Sequence, residues 1–374
     1  MKILYIVPFF YPVKGGAENH IYYLAKELVK KGHDVHVITS NLDRNSLIKK
    51  EFEIIDGIKI YRLKSYFRIS NFVSFFPAVF TKINKFDYDI LHIHGFRHPH
   101  NLIVFLTKKP KLITPHWPEY PSKVRGSFLD FLTKLFDLFL AKIIFRNCDY
   151  ICAVNKLEID WYKKKYGITE SKIKLIPNGI PKDFFKKGNP NFLRNKYHIP
   201  KGSLIVTSLS RLHQSKGLDL IIKVAQYFPN TYFFIAGSKA GYETYLHKLI
   251  KSKNLKNVII IEELEEKFKL DYLSSSNIFI HPSYYDAFGI SILEAFSQKN
   301  AVIASNAGGI PWVIEGAGLL FKTGSEKDLK FKLTILINDK KYRKELSKKG
   351  YERAQQFVWE DLAVDLEGLY KSLL

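Results

Sequence analysis

Short apolar runs alternate along this chain with longer segments whose apolar positions recur every three or four residues. KILYIV at 2–7 reads as a buried strand. Ile21, Leu24, Ala25 and Leu28 then repeat at helical spacing within residues 18–31, and Gly32 closes that helix. DVHVIT at 34–39 is the next strand, and IKIYRL (58–63), DILHIH (89–94), KLITPH (111–116), YICAVN (150–155) and IKLIPN (173–178) follow. Helical stretches separate several of these. The rhythm is βαβ, which predicts a mostly parallel sheet.

The pattern lapses at 179–202, where Pro, Gly, Asn and Lys crowd together as in an inter-domain connection. It restarts with SLIVTSLS (203–210), a helix over 217–226, and the runs TYFFIAG (231–237), NVIIIEE (257–263), NIFIHPS (277–283) and NAVIASN (300–306). These runs are apolar throughout, as parallel strands covered on both faces should be. The lysine-rich C-terminal stretch reads as helical. A length of 374 residues suits two domains of roughly 150–200 residues. The chain therefore reads as two doubly wound α/β halves in series, whose rims can face each other across a cleft.

Composition narrows the partners. Apolar residues make up 46% of the chain, enough for sizeable cores. Lys and Arg outnumber Asp and Glu by 58 to 36, giving +22 and inviting phosphates, nucleic acid or an acidic membrane face. No nucleic-acid recognition motif is present, so nucleic acid is not expected as a partner. Cys148 and Cys152 lack metal-type spacing and read as reduced, buried thiols, which fits a cytoplasmic protein. The apolar start is broken by Pro8 and has no small-residue cleavage site, so it reads as a strand rather than a leader. The apolar region 128–145 is interrupted by Asp130, Lys134, Asp137 and Lys142, which does not suit a membrane span.

In open parallel sheets, ligands bind beyond the carboxyl ends of the strands. His92, His94, His116, Arg211, Gly237, Pro282-Ser283 and Gly308-Gly309 all fall at or just after such ends. Arg211 and Lys216 lie five apart in a loop that opens a helix. That loop is either a solvated basic turn or a diphosphate cradle, with a forked guanidinium, a mobile ammonium and exposed backbone N–H groups. Gly15-Gly16 follows the first strand; it is either an ordinary strand-to-helix turn or a close backbone approach to a ligand. Neither a GxGxxG nor a GxxxxGK[ST] pattern occurs, which argues against a dinucleotide fingerprint or a P-loop. His116 is either structural or a hydrogen-bond and proton-handling group. His92 and His94 share one face of a strand but have no third ligand at a recognisable spacing, so no metal site is read.

The stretch YYDAFGISILEA (284–295) places Asp286 in a loop and Glu294 in the second turn of a helix opening at Gly289-Ile290. The plainer reading is a helix with an acid on either side of its start. The sharper one has both carboxylates accepting from sugar hydroxyls while the helix N-terminus receives a phosphate.

These residues resemble the retaining sugar-nucleotide glycosyltransferases of family 4 (group 1), with the GT-B fold of two Rossmann-like domains. The resemblance covers nearly the whole chain. It rests on Gly15-Gly16, His116, Pro177-Asn178-Gly179, Arg211 with Lys216, D-AFGISIL-E at 286–294, and Gly308-Gly309-Ile310-Pro311. It implies an acceptor-binding N-terminal domain of residues 1–182 plus the C-terminal helix 356–374. Residues 183–355 would form the nucleotide-sugar domain. Arg211 and Lys216 would hold the diphosphate and steady the leaving group. Glu294 would bind the ribose, and Asp286, Ala287, Phe288, Gly289 and Ile290 the donor sugar, with Gly237 in the same rim. His116 would hydrogen-bond the sugar near the reacting carbon, so His116, Arg211, Lys216 and Asp286 carry the catalytic roles. The donor would be a UDP- or GDP-sugar, with no metal and no other cofactor, and the anomeric configuration would be retained.

The chain departs from the family pattern in three places. The first acid is Asp286 rather than Glu, Trp312 replaces the Glu often found after GG-x-P, and Pro181 replaces the Asp often found after PNG-x. These leave the identity of the sugar open. The acceptor is expected to be a glycan or lipid-linked glycan. Residues 67–85 and 123–146 are aromatic and basic: the plainer reading makes them core helices with a lysine face, the sharper a rim docking on an anionic membrane from the cytoplasmic side. A sugar-nucleotide epimerase or phosphorylase on the same fold, or an inactive sugar-nucleotide-binding homologue, are the alternatives.

Overall fold

The computed structural model describes residues 1–13, 15–43, 46–69, 73–116 and 127–374. The chain divides into two compact units, Met1–Asn178 with Trp359–Leu374, and Gly179–Val358.

The first unit contains β1 (Lys2–Ile6), β2 (Asp34–Ser40), β3 (Phe52–Ile55), β4 (Ile58–Leu63), β5 (Phe67–Ile69), β6 (Val73–Phe75), β7 (Ile90–His94), β8 (Lys111–Thr114), β9 (Tyr150–Ala153) and β10 (Ile173–Leu175). Its main sheet runs β10-β9-β8-β7-β1-β2-β4-β3. Every pairing in it is parallel except the β3–β4 hairpin. Alternation along β1 explains its central place: Leu4 and Ile6 enter the core on one face, Ile3 and Tyr5 the core on the other. The C-terminal helix Trp359–Lys371 belongs to this unit, burying Trp359, Leu362, Ala363, Leu366 and Tyr370.

The second unit is built on β11 (Leu204–Leu209), β12 (Thr231–Gly237), β13 (Val258–Glu262), β14 (Ile278–His281), β15 (Ala301–Ser305) and β16 (Leu319–Phe321). The order is β13-β12-β11-β14-β15-β16, all parallel. Each sheet winds outward from its first strand in one direction and then in the other. The reversal falls between β1 and β7 in the first unit and between β11 and β14 in the second. A doubly wound sheet opens a crevice at that point, because successive connections leave on opposite faces.

Two stretches differ from the pattern-based expectation. Residues 179–202 are not a loose connection: Ile180, Phe184, Leu193 and Ile199 enter the core of the second unit, carried by the turn Lys182–Phe185 and the helix Phe192–Lys196. Their polar neighbours masked four well-spaced apolar anchors. Within 67–85, Phe67–Ile69 pairs antiparallel with Val73–Phe75 and Ala78–Lys82 is a short helix, with Phe76, Val79 and Ile83 buried; residues 70–72 of that stretch, like 123–126 of the other aromatic and basic stretch, lie outside the described residues.

Candidate active site

The loops after β11 and β14 meet at the switch point of the second sheet. Lys216 Nζ lies 2.7 Å from Asp286 Oδ2. The same carboxylate oxygen is 3.2 Å from His281 Nε2, and Ser291 Oγ is 3.2 Å from His281 Nδ1. His281 is the last residue of β14 and is buried beneath the loop. Burial pushes the Asp286 carboxyl up, but the Lys216 charge and the His281 hydrogen bond outweigh it and hold the group well below the usual carboxylate range. The carboxylate is therefore ionised across the neutral pH range.

Backbone contacts fix these loops to each other. Tyr284 N donates to Ser215 O at 2.9 Å, and Gly309 N donates to Asp286 O at 2.9 Å. Glycine is required at two of the crossings. A Cβ on Gly217, at φ +62°, would lie 2.3 Å from Pro282 O; one on Gly308, at φ +53°, would lie 2.2 Å from Asp286 O. Gly237 closes β12 against the same loop, where a Cβ would fall 1.6 Å from Ser210 O.

Arg211 is exposed just beyond β11. Burial, and then the charges of Arg211 and Lys216, hold the His213 imidazole below its ordinary value, so both cations act on one small volume. The α-helix starts at Leu218, within a residue of the expected start; before it Gln214–Lys216 is a 3-10 turn, and Gly217 bridges the two in the left-handed conformation.

Gly289, at φ +89°, opens the helix Ile290–Ser297. Phe288 is buried against Trp312 and Phe357, which anchors the loop that carries Asp286 and Ala287. Glu294 sits in the second turn, as its spacing predicts, but faces a partner that sequence reasoning missed: Lys269 Nζ is 2.7 Å from its Oε1. Burial pulls the Lys269 ammonium down, yet the charges of Glu294 and Glu266 outweigh it and raise its pKa. Glu294 and Asp286 thus each hold a lysine, one at either end of the helix start.

In the first unit, Gly15 caps the helix Gly16–Lys30 at φ −173°, an extended backbone open to any residue. Beside that turn lies a histidine cluster at the β1–β7 switch point. His94 Nδ1 is 3.0 Å from His116 Nε2, and the His20 and His116 rings meet edge-on at 4.8 Å. His20 Nδ1 is 3.1 Å from Asn178 Oδ1, which ties the cluster to the Pro177-Asn178 corner. His92 bridges Thr114 Oγ1 at 2.7 Å and Tyr370 Oη at 2.6 Å, and Tyr370 donates to Tyr5 Oη at 3.1 Å. Burial lowers all these imidazoles, His20 to about 3 and His92, His94 and His116 well below the ordinary value, so the cluster is neutral at pH 7. Among the described residues, no group of three or more His, Cys, Asp or Glu is arranged to hold a metal ion. Cys148 and Cys152 are buried free thiols, pushed up to about 12 by burial.

His20, Lys269 and His281 were not singled out from the sequence. His281 carried a usable signal, since it ends a strand of a parallel sheet. Lys269 carried none, being one lysine among many.

Two doubly wound parallel units in one chain are the architecture of the GT-B class. The family follows from the sequence: a model of glycosyl transferases group 1 matches residues 190–353, and a model of glycosyltransferase family 4 matches residues 14–184. The chain belongs to this family and is a glycosyltransferase. It is 25% identical over 328 residues to the phosphatidylinositol N-acetylglucosaminyltransferase GPI3 subunit of Saccharomyces cerevisiae, covering 84% of this chain and 70% of that protein. Its fold matches sucrose-phosphate synthase from Thermosynechococcus elongatus with a TM-score of 0.80 at 19% identity, over 100% of this chain and 99% of that one. It also matches Anabaena HepE in complex with UDP, with a TM-score of 0.76 at 18% identity over 100% of both chains.

Proposed function

We propose that the protein is a retaining, metal-independent glycosyltransferase that moves a hexose-type sugar from a UDP- or GDP-sugar to a hydroxyl of a lipid-linked or glycan acceptor. The observation that carries this reading is the Lys216–Asp286 pair at 2.7 Å, at the β11–β14 switch point, beside glycines that admit no side chain. Lys216 and Arg211 take the diphosphate, and their charge stabilises it as it leaves. Glu294 accepts from the ribose hydroxyls, and Asp286 from the sugar. The backbone from Ala287 to Ile290 and the end of β12 at Gly237 line the donor. His116, neutral through burial, hydrogen-bonds the sugar, and the Gly15-Gly16 turn approaches the donor phosphate and the acceptor. UDP in a complex of HepE and phosphatidylinositol in the name of the yeast relative support a nucleotide donor and a lipid acceptor.

Thermal stability with UDP, GDP, ADP and their sugar conjugates, with and without EDTA, tests the reading. A ligand at 100 times its dissociation constant should add about 2.7 kcal/mol of stability. A selective shift that survives EDTA and disappears in Glu294→Ala is the expected result. No shift with any nucleotide at millimolar concentration overturns it.

A further inference from the structure

The helical stretch from Ser127–Phe136 through Asp137–Ala141 to Lys142–Asn147 turns an apolar stripe outward. Leu138 is 71% exposed, Phe139 61% and Phe131 57%, and Ile143 continues the line. Positions 131, 135, 138/139 and 143 follow helical spacing, so they form one face. The opposite face is spoken for: Ala141, Ile144 and Phe145 are in the core of the first unit. The stripe widens where Lys142–Asn147 packs on the turn Pro99–Phe105, whose Leu102 and Phe105, with Leu106 beyond, are also exposed.

Contiguous exposed apolar surface of this kind disfavours a free, fully hydrated state. Its charged border identifies what covers it. Lys108, Lys134, Lys142 and Arg146 are exposed around the stripe. The acid of the widened turn, Asp137, points inward and is held by Arg97 Nη2 at 2.7 Å and Lys165 Nζ at 2.6 Å. Asp149 accepts from the Lys111 backbone N–H; Asp130 falls outside the described side chains. Asp149 is itself exposed, so four cations stand against one carboxylate among these described side chains and the border is predominantly cationic. An apolar face rimmed by cations matches an anionic bilayer: the side chains enter the acyl boundary while the ammonium groups reach the head groups. Among the described residues no helix is long and apolar enough to cross a membrane, so such contact is peripheral.

We propose that this stripe, centred on Leu138 and Phe139, docks the first unit on an anionic lipid surface. The inference rests on the proposed lipid-linked acceptor only for its purpose; the surface itself is independent of the donor site.

The test is flotation of the full chain with vesicles of phosphatidylcholine alone and with phosphatidylglycerol added, at low and high salt. Each run is paired with the donor-induced stability shift. Wild type should float with the anionic vesicles and lose that association at high salt. Leu138→Ser with Phe139→Ser should weaken it by about tenfold or more, because two apolar side chains no longer enter the boundary. Lys142→Glu with Arg146→Glu should weaken it on anionic vesicles alone. All four positions are exposed, and an unchanged donor-induced shift shows that the variants remain folded. Flotation indifferent to both double variants, or no flotation of wild type, overturns the proposal and leaves the donor site standing. A wild-type dimer that Leu138→Ser with Phe139→Ser converts to monomer overturns it in favour of a second copy of the chain. Flotation without any nucleotide shift supports the docking surface and removes the proposed activity.

Discussion

Lys216 and Asp286, seventy positions apart in sequence, are joined at 2.7 Å across the switch point of the second sheet. The pair links the loop after β11 to the loop after β14, so one contact fixes the spacing of the two loops assigned to the diphosphate and the sugar. Both partners keep a little solvent exposure, which limits what the pair adds to folding. On the proposed reading, its larger value is to aim a cation at the diphosphate.

Lys216→Met should therefore separate catalysis from stability. Turnover is expected to fall by about 10²–10³, the usual loss when a charge-stabilising group is removed. Melting temperature should move by only a few degrees. The pH signature is also fixed. The folded pKa of Asp286 is depressed, so its contribution is fully present above the ordinary carboxylate pKa of about 4 and is lost as pH falls toward the folded value. Asp286→Asn should show the same stability deficit at pH 6 and pH 8, and a smaller one below about pH 4. Denaturant titrations across that range decide it; a deficit that grows on acidification contradicts the assignment.

Much of this arrangement was legible in the sequence because parallel strands buried on both faces are apolar runs with sharp ends. KILYIV, TYFFIAG and NIFIHPS announce themselves, and their ends point to Gly15, Gly237 and Asp286. What was not legible depended on long-range partners. Nothing local marks Lys269 as the partner of Glu294, or Tyr370 as the partner of His92. The strand Leu319–Phe321 is too short to show a period, and β3 needs its antiparallel neighbour β4 to be a strand at all. The 179–202 stretch looked like a linker because its composition is polar, while its four apolar residues do the packing.

Glycine substitutions should distinguish crowding from strain. Gly308 and Gly316 both have positive φ, but a Cβ on Gly308 meets Asp286 O at 2.2 Å whereas one on Gly316 meets nothing within 4 Å. Gly316→Ala is expected to cost about 1 kcal/mol, from backbone strain alone. Gly308→Ala must displace the carbonyl of Asp286 and should cost more than about 2 kcal/mol while also weakening donor binding. Equal costs for the two variants would show that the loop after β15 yields to the methyl group.

Stability should peak near pH 6.5. His20, His92, His94, His98, His100 and His116 all have depressed folded pKa values through burial, His20 about 3 and His100 about 4. Their contribution is complete above the unfolded value of about 6.5 and is lost as pH falls through the folded values. Glu158 works in the other direction. Burial raises its carboxyl to about 8, despite a hydrogen bond from Val154 N. Its contribution is present below about pH 4.5 and fades as pH rises to 8. Between about 4.5 and 6.5 the six imidazoles outweigh the one carboxyl; from about 6.5 to about 8 the carboxyl dominates, and nearer about pH 9 the buried thiols Cys148 and Cys152 add to the decline. Urea midpoints measured from pH 5 to 9 should rise to about 6.5 and then decline gently, and Glu158→Gln should flatten the alkaline limb. A protein steadily more stable from pH 7 down to pH 5 would be incompatible with a neutral buried cluster.

Asp286→Glu tests whether the shorter acid is a tuned feature or a tolerated one. A single oxygen, Oδ2, contacts both Lys216 Nζ at 2.7 Å and His281 Nε2 at 3.2 Å. A glutamate carries its carboxylate one methylene further from the backbone. The backbone cannot retreat to compensate, because the Asp286 carbonyl is held by Gly309 N at 2.9 Å and packs against Gly308. The longer side chain must therefore abandon His281 or push Lys216 aside. If His281 is abandoned, its Nε2 is left buried without its partner, at a cost of about 1–3 kcal/mol. If Lys216 moves, the diphosphate loses its aimed cation. In both cases turnover should drop by about tenfold or more; free UDP or GDP should bind within about threefold of wild type where only the His281 contact is lost, and more weakly where Lys216 is displaced. Titration with UDP and GDP beside transfer kinetics gives both numbers. A variant that transfers as fast as wild type would show that the His281 contact does not position the carboxylate for catalysis.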